Sequence, residues 1–203
     1  MWHDDRVHVA FKNNLLWLVF FLFAPPLSLG LGVFLNQGFK ELRFIKSLFF
    51  FPFVISPVVV GIIFSWFYNP KYGLLDSFLV GAGLESVALL SNEDLVSFGI
   101  IIAAMWPQVA YCLILYMTGL AGLNQEMIEA GRIDGAKGWP MFWNIILPQL
   151  KPATFIAVVV SVLGALRSYD LIAIMTQGGP WGSSTVLALS LIHISEPTRP
   201  RLI

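Results

Sequence analysis

The strongest constraint in this sequence is a set of four long apolar segments. They lie at about residues 11–35, 44–68, 95–120 and 153–175, and another apolar run starts at Thr185. Each segment approaches or exceeds the roughly 20 residues that an α-helix needs to cross the hydrocarbon layer of a bilayer. Helices satisfy their own backbone hydrogen bonds in lipid. The segments therefore predict an all-α, polytopic transmembrane protein.

Prolines and charges divide these segments. Pro25 and Pro26 predict a kink in the first segment, whereas residues 44–68 are predicted to form one span despite Pro57. Residues 71–94 mix acidic residues with short apolar runs, which predicts an external loop containing an interfacial helix.

Lysine and arginine placement predicts the orientation. Residues 36–46 carry Lys40, Arg43 and Lys46, and a second basic loop occupies residues 121–151. Because cytoplasmic loops are enriched in basic residues, both loops are predicted to lie inside and the amino terminus outside. An external amino terminus without a signal peptide leads us to expect a further span before Met1.

Composition narrows the functional classes. The chain is 57% hydrophobic and 12% charged with a net charge of zero, which favours a membrane protein and gives no support for nucleic-acid binding. A single cysteine, Cys112, and three scattered histidines do not predict a metal site. There is no G-x-x-x-x-G-K-[ST] phosphate loop. We therefore expect no cofactor and no enzymatic activity on this chain.

The loop 121–151 is predicted to contain two short helices. Asn124 is a suitable N-cap for a helix over residues 125–133, and Gly135 is expected to end that helix. A second helix should begin at Trp139-Pro140 and end at Pro148. Its apolar face, by helical spacing, is formed by Trp139, Phe142, Trp143 and Ile146. From spacing alone, this helix either rests on lipid or docks on a partner.

The same loop carries a longer pattern. Glu129-Ala130-Gly131, then Gly135, then Ile145-Ile146-Leu147-Pro148 resembles the EAA signature of permeases in binding-protein-dependent ABC importers. Gly131 departs from the alanine usual in that family. The resemblance implies a type I ABC importer permease fold and a loop that seats in a cytoplasmic ATPase subunit. The implied coupling residues are Glu129, Ala130, Gly131, Asp134, Gly135, Ala136, Trp139, Phe142, Trp143, Ile145, Leu147 and Pro148.

Other stretches resemble the sugar-importer branch of this family, namely residues 51–57, 66–70, 168–170 and 175–180. The resemblance implies a sugar, oligosaccharide or polyol as substrate. It also implies an ATP-hydrolysing partner subunit, a second permease subunit, an extracytoplasmic solute-binding protein and a location in the bacterial inner membrane. The rival interpretation is a secondary transporter or channel that has no ATPase. A membrane enzyme is less favoured, since no nucleophile and base stand together in the spans.

Small and polar residues in the third and fourth segments are candidates for a substrate path. They share helix faces by spacing and are Ala104, Gln108, Tyr111, Ser161, Gly164, Ala165 and Ser168. The alternative role for these residues is close helix packing. Arg167 and Asp170 have i, i+3 spacing, and we expect them to form an intramembrane ion pair.

The end of the chain has a different character. Residues 189–199 resemble a translated sequencing adapter, so residues 189–203 are predicted to be an artefactual tail. The permease domain is accordingly predicted to cover residues 1–188 and to be truncated.

Overall fold

The computed structural model describes the backbone of residues 5–36 and 42–186 and the side chains of residues 8–36 and 44–186. The regular structure of these residues is helical, as predicted. The helices are α1 (Asp5–Leu22), α2 (Ala24–Leu35), α3 (Leu42–Val54), α4 (Pro57–Phe67), α5 (Leu74–Gly81), α6 (Val96–Ala121), α7 (Gln125–Ile133), α8 (Trp139–Met141), a π-helical segment π1 (Phe142–Ile146), α9 (Leu147–Gln149), α10 (Lys151–Leu166) and α11 (Asp170–Met175). The predicted tail at 189–203 lies outside the described residues.

Three stretches in the described part of the chain are long and apolar enough to cross a membrane. They are His8–Leu35, Val96–Ala121 and Lys151–Met175, and they match the first, third and fourth predicted spans. The helix of the first span is interrupted at Phe23, because α1 ends at Leu22 and α2 starts at Ala24, and the kink predicted at Pro25 and Pro26 stays a prediction.

The second predicted span is not one continuous helix. Phe44–Val54 and Pro57–Phe67 meet at an angle of 104°. Ser56 is extended, with φ −66° and ψ 148°, because a residue that precedes proline is kept out of the helical region. The Ser56 hydroxyl then accepts a 3.4 Å hydrogen bond from the amide of Val59 and caps α4. Pro57 thus ends one helix and starts another.

The loop over residues 71–94 contains α5, so a helix is present where one was predicted. Its location outside the membrane, like the orientation of the whole chain, stays a prediction.

The described residues group into two compact units. The first is built from Met1–Phe20, Ile55–Trp106 and Leu163–Ile203, as far as these are described. In it α4 packs on α11 at Gly61, where an added Cβ would stand 2.9 Å from Ile174 Cγ2. Only a residue without a side chain allows this approach. The Tyr68 hydroxyl donates a 3.1 Å hydrogen bond to the carbonyl of Gly99 and so fixes the end of α4 to α6.

A buried polar network also belongs to the first unit. The Asn13 amide donates to the carbonyls of Ser183 at 2.6 Å and Thr185 at 2.9 Å, and the Ser97 hydroxyl donates to Asn13 Oδ1 at 3.4 Å. The segment that follows α11 is thereby tied to α1 and α6.

The second unit is built from Phe21–Val54 and Pro107–Val162. Its centre is the buried pair Leu35 and Leu113, against which Phe50 packs from α3. The Ser28 hydroxyl donates a 2.9 Å hydrogen bond to the carbonyl of Val109. This unit contains the whole loop 121–151, with α6 entering it and α10 leaving it.

Candidate functional site

The first half of the loop folds as the sequence predicts. The side chain of Asn124 accepts hydrogen bonds from the amides of Glu126 at 2.8 Å and Met127 at 3.3 Å, and so caps α7. Ile128 and Gly131 are buried, whereas Glu129 is exposed. The chain therefore presents the Glu129 carboxylate on the outer face of α7.

The turn after α7 is a Schellman motif. Gly135 has φ +83°, and the amides of Ala136 and Gly135 donate to the carbonyls of Gly131 at 2.8 Å and Arg132 at 3.1 Å. Asp134 is the C-cap residue of α7. Asp134, Gly135 and Ala136 are thus brought together as the predicted turn between the two helices.

The second helix of the loop begins at Trp139, as predicted, but its middle is π-helical and it continues to Gln149. The prediction that Pro148 ends it is wrong. Pro148 has no amide hydrogen to give to the carbonyl four residues earlier. It sits in the first turn of α9, directly after the wider π-turn, where that missing bond interrupts no regular α-helical ladder.

Three aromatic side chains form a cluster on this helix. Trp139 stacks on Phe142 with ring centroids 5.8 Å apart, and Trp143 meets both rings edge-on. Trp139 is 70% exposed and Trp143 is 50% exposed. Ile146, the fourth member of the predicted face, is half-buried. The aromatic part of the predicted face is therefore present and accessible.

The two helices interlock at Gly131. A Cβ added to Gly131 would overlap Ile145 Cδ1 and would stand 3.5 Å from Met141 Cε. The glycine that departs from the usual alanine therefore makes room for Ile145. Of the remaining signature residues, Ala130 and Pro148 are exposed and Leu147 is half-buried.

A polar contact joins α6 and α10 inside the second unit. The Gln108 amide donates a 3.0 Å hydrogen bond to the Ser161 hydroxyl, which itself donates to the carbonyl of Ala157 at 2.8 Å. Cys112 Sγ lies 3.8 Å from the Ser161 hydroxyl oxygen. Ser161 and Cys112 are fully buried. Sequence reasoning paired neither Gln108 with Ser161 nor Cys112 with them, because helical spacing carries no information about contacts between helices.

The other candidates for a substrate path are placed differently. Tyr111, in the second unit, contacts the ring of Phe53 at a centroid distance of 5.5 Å. Ala104 and Ala165, in the first unit, are buried, and Gly164 is half-buried. The Ser168 hydroxyl donates to the carbonyl of Ala165 at 2.8 Å, within its own segment.

The expected pair of Arg167 and Asp170 is not formed. Arg167 lies in a turn between α10 and α11, Asp170 is the first residue of α11, and both side chains are exposed. Within the described residues 44–186 no ion pair joins them. The helix is interrupted between these two residues, so they do not face each other as i, i+3 residues of a continuous helix do.

The described residues thus form an apolar, multispan helical chain with a capped, exposed helix-turn-helix between two spans, as expected for a membrane transport subunit. The match to the family "Binding-protein-dependent transport system inner membrane component" covers residues 24–196. The chain belongs to this family: it is the permease subunit of an ABC importer and a component of the inner membrane. Family membership decides against the secondary transporter or channel.

Relatives agree with this assignment. The chain is 33% identical to the probable ABC transporter permease protein YurN of Bacillus subtilis over 94% of this chain and 67% of the relative. It is 31% identical to the trehalose/maltose transport system permease protein MalF of Thermococcus litoralis, over 93% and 62%. It is 29% identical to the sn-glycerol-3-phosphate transport system permease protein UgpA of Brucella abortus, over 94% and 64%. The chain thus spans about two thirds of these relatives.

A solved structure supports the fold. The crystal structure of a bacterial ABC transporter involved in the import of the acidic polysaccharide alginate matches with a TM-score of 0.85. The match covers 95% of this chain and 69% of the other, at 21% identity. The type I ABC importer permease fold predicted from the sequence is therefore confirmed.

Proposed function

We propose that this permease carries a sugar, an oligosaccharide or a polyol across the inner membrane, driven by a cytoplasmic ABC ATPase that docks on the loop 121–151. The observation that carries the proposal is that Trp139, Trp143 and the Glu129 side chain are all exposed on the same helix-turn-helix. A second permease subunit and an extracytoplasmic solute-binding protein complete the proposed assembly.

The loop has the properties of a docking surface. Helices as short as those in the loop are marginal in water unless they pack on something else. Tryptophans are the side chains that most often dominate the binding energy of protein interfaces. In the described residues 44–186, Glu129 makes no side-chain hydrogen bond or ion pair. Its carboxylate is therefore available to a partner, and the coupling residues predicted from the signature are proposed as the contact surface.

Coupling requires that the ATPase bind the loop differently in its two nucleotide states, since equal affinity would shift no equilibrium. Three residues separate the end of α6 from the start of α7, and one residue separates the end of α9 from the start of α10. A displacement of the loop is therefore passed to the ends of both helices. ATP is bound and hydrolysed on the partner subunit.

The half-buried Gln108 and Tyr111 are the proposed contacts for the solute, and the fully buried Ser161 hydroxyl is proposed to join them when α6 and α10 separate during transport. An amide and a hydroxyl offer the donors and acceptors that match sugar hydroxyls. They bond each other in this structure, so a solute would exchange one hydrogen bond for another rather than leave a group unpaired. The name of the trehalose/maltose relative supports a sugar. Another relative is named for the transport of sn-glycerol-3-phosphate, a phosphorylated polyol, and this name supports the inclusion of polyols in the proposal.

Docking is tested by co-purification of the ATPase with the permease from membranes. We expect Glu129→Ala to reduce the recovered ATPase roughly tenfold, which corresponds to about 1.4 kcal/mol. Glu126→Ala is the matched control, because Glu126 is an exposed glutamate one turn earlier on α7, and it should leave recovery unchanged. If Glu129→Ala and Trp143→Ala both recover as much ATPase as the unmodified permease does, docking on this loop is rejected. The second helix of the loop would then rest on lipid.

The solute contact is tested by uptake measurements. Gln108→Ala should raise the substrate concentration for half-maximal uptake roughly tenfold, the loss expected for one polar contact of about 1.4 kcal/mol. ATPase recovery should stay normal. The control is Thr118→Ala on the same helix, whose exposed hydroxyl bonds only the carbonyl of Ile114. Unchanged uptake would remove Gln108 from the proposed path.

A further inference from the structure

The Gln149 side chain connects the two ends of the loop 121–151. Gln149 is the last residue of α9, and only Leu150 separates it from Lys151, the first residue of α10. Asn124 lies at the other end of the loop, three residues after α6 ends at Ala121. Both positions are therefore adjacent to the ends of membrane-spanning helices within the second unit.

Two hydrogen bonds define this connection. Gln149 Oε1 accepts a 2.9 Å hydrogen bond from the backbone amide of Asn124, 25 residues earlier. Gln149 Nε2 donates a 3.1 Å hydrogen bond to the carbonyl of Ile145. The amide side chain uses its acceptor toward the entry of the loop and its donor toward the second helix. A residue with only an acceptor or only a donor cannot make both bonds.

The backbone amide of Asn124, which Gln149 binds, is not occupied by the helix that follows it. The side chain of Asn124 is engaged in capping α7, whereas its own backbone amide lies outside the helix and has no intrahelical acceptor. Another cross-loop contact is apolar and lies at Gly131 and Ile145. The loop is thus closed by packing in its middle as well as by the hydrogen bond between its ends.

We propose that Gln149 is a positioning residue for energy coupling: it ties the entry of the loop at Asn124 to its exit, so that the loop moves as one body with the ends of α6 and α10. This inference rests on the proposed function of the loop as the ATPase docking surface. It assigns a role to a residue outside the EAA-like signature, which ends at Pro148.

The mechanical reason is the path by which force leaves the loop. A partner that pulls on the exposed face of Trp139 and Trp143 displaces the second helix first. Without the Gln149 bond, the backbone of Asn124 is linked to that helix through α7 and the packing at Gly131, while the end of α6 still packs on Leu150 at Gly119. Part of the displacement is then absorbed by opening of the loop between Asn124 and Gln149, and less of it reaches α6 for each ATP hydrolysed.

Hydrogen exchange measured on the full permease in lipid tests the bond itself. Gln149→Ala should speed exchange of the Asn124 amide roughly fivefold, the effect of losing one neutral hydrogen bond. Gln149→Glu keeps an acceptor for that amide, so the Asn124 amide should exchange about as slowly as it does in the unmodified protein. Gln125→Ala, an exposed glutamine on α7, is the matched control and should change nothing at Asn124. Equal exchange in all variants would overturn the inference.

The functional readout is the number of substrate molecules taken up per ATP hydrolysed by the assembled importer. We expect Gln149→Ala to lower this ratio at least threefold while ATPase recovery stays normal, and Gln149→Glu to retain most of it. Faster exchange with an unchanged ratio would overturn the coupling role. The proposed function fails separately, if Glu129→Ala leaves ATPase recovery intact.

Discussion

The loop 121–151 and the Gln108–Ser161 pair lie in the same unit but are held by different forces. The loop is largely exposed, and it depends on an N-cap, a glycine turn and the packing of Ile145 on Gly131. The Gln108–Ser161 contact crosses between two long helices and includes a fully buried hydroxyl. The loop is therefore held by contacts that can change locally. The buried Ser161 hydroxyl, in contrast, has no water to replace a lost partner. Substitutions in the polar pair should therefore lower the stability of the protein more than substitutions in the loop do.

The largest effect should come from Ser161→Leu. It adds bulk to a packed site, at about 1–3 kcal/mol, and removes the acceptor of the Gln108 amide, at about 1–3 kcal/mol. We expect a clear fall in the thermal unfolding midpoint in detergent. Val158→Leu, an exposed position on α10, should change stability by less than about 0.5 kcal/mol. Equal midpoints for the two variants would contradict the stabilising role of the buried pair.

Gly135→Ala should have the next largest effect. Its φ of +83° costs a residue with a Cβ about 1–2 kcal/mol. The measurement is hydrogen exchange of the amides of Gly135 and Ala136, which should accelerate while the spans keep their protection. Gly135→Asn should be milder, because asparagine tolerates left-handed backbone better than alanine does. If the unfolding midpoint of the spans falls as well, the stability of the loop is not independent of the stability of the spans.

Asn124→Ala should cost about 1 kcal/mol through loss of the α7 cap. The amides of Glu126 and Met127 lose their acceptor and should exchange roughly fivefold faster. The backbone bond from Asn124 to Gln149 does not involve the changed side chain and should persist. Asn124→Asp keeps the capping oxygen and should restore slow exchange. Fast exchange in both variants would show that the cap does not hold α7.

Gly131→Ala should have the smallest net effect, because two terms oppose each other. Alanine favours the helix by up to about 1 kcal/mol, but its Cβ overlaps Ile145 Cδ1. We expect a net loss of about 0.5 kcal/mol in the opening free energy of α7, measured by hydrogen exchange. In an Ile145→Val background, which lacks that methyl group, the same change should instead stabilise α7. If Gly131→Ala changes the opening free energy of α7 in the same direction in both backgrounds, the packing of Ile145 on Gly131 does not limit the size of residue 131.

Several features of the molecule follow from short stretches of sequence. The cap at Asn124 and the turn at Gly135 are decided by residues within one or two helical turns, and both were predicted correctly. Hydropathy identifies three of the four predicted spans as single stretches, and the second passes the same test as a bent pair of helices, since each apolar segment must satisfy its own backbone. The π-turn before Pro148 was missed, because an apolar i, i+3, i+4 pattern does not distinguish an α-helix from a locally widened one.

The sequence by itself determined the apolar spans, the helix-turn-helix of the loop and the family to which the chain belongs, because these depend on neighbours along the chain. Only the tertiary structure decided that Gln108 meets Ser161, that Gly131 admits Ile145, that residues 44–67 bend by 104°, and that Gln149 joins the ends of the loop. Apart from the bend, these are contacts between residues at least 14 positions apart. Their partners are selected by helix packing, which no spacing rule along one helix specifies.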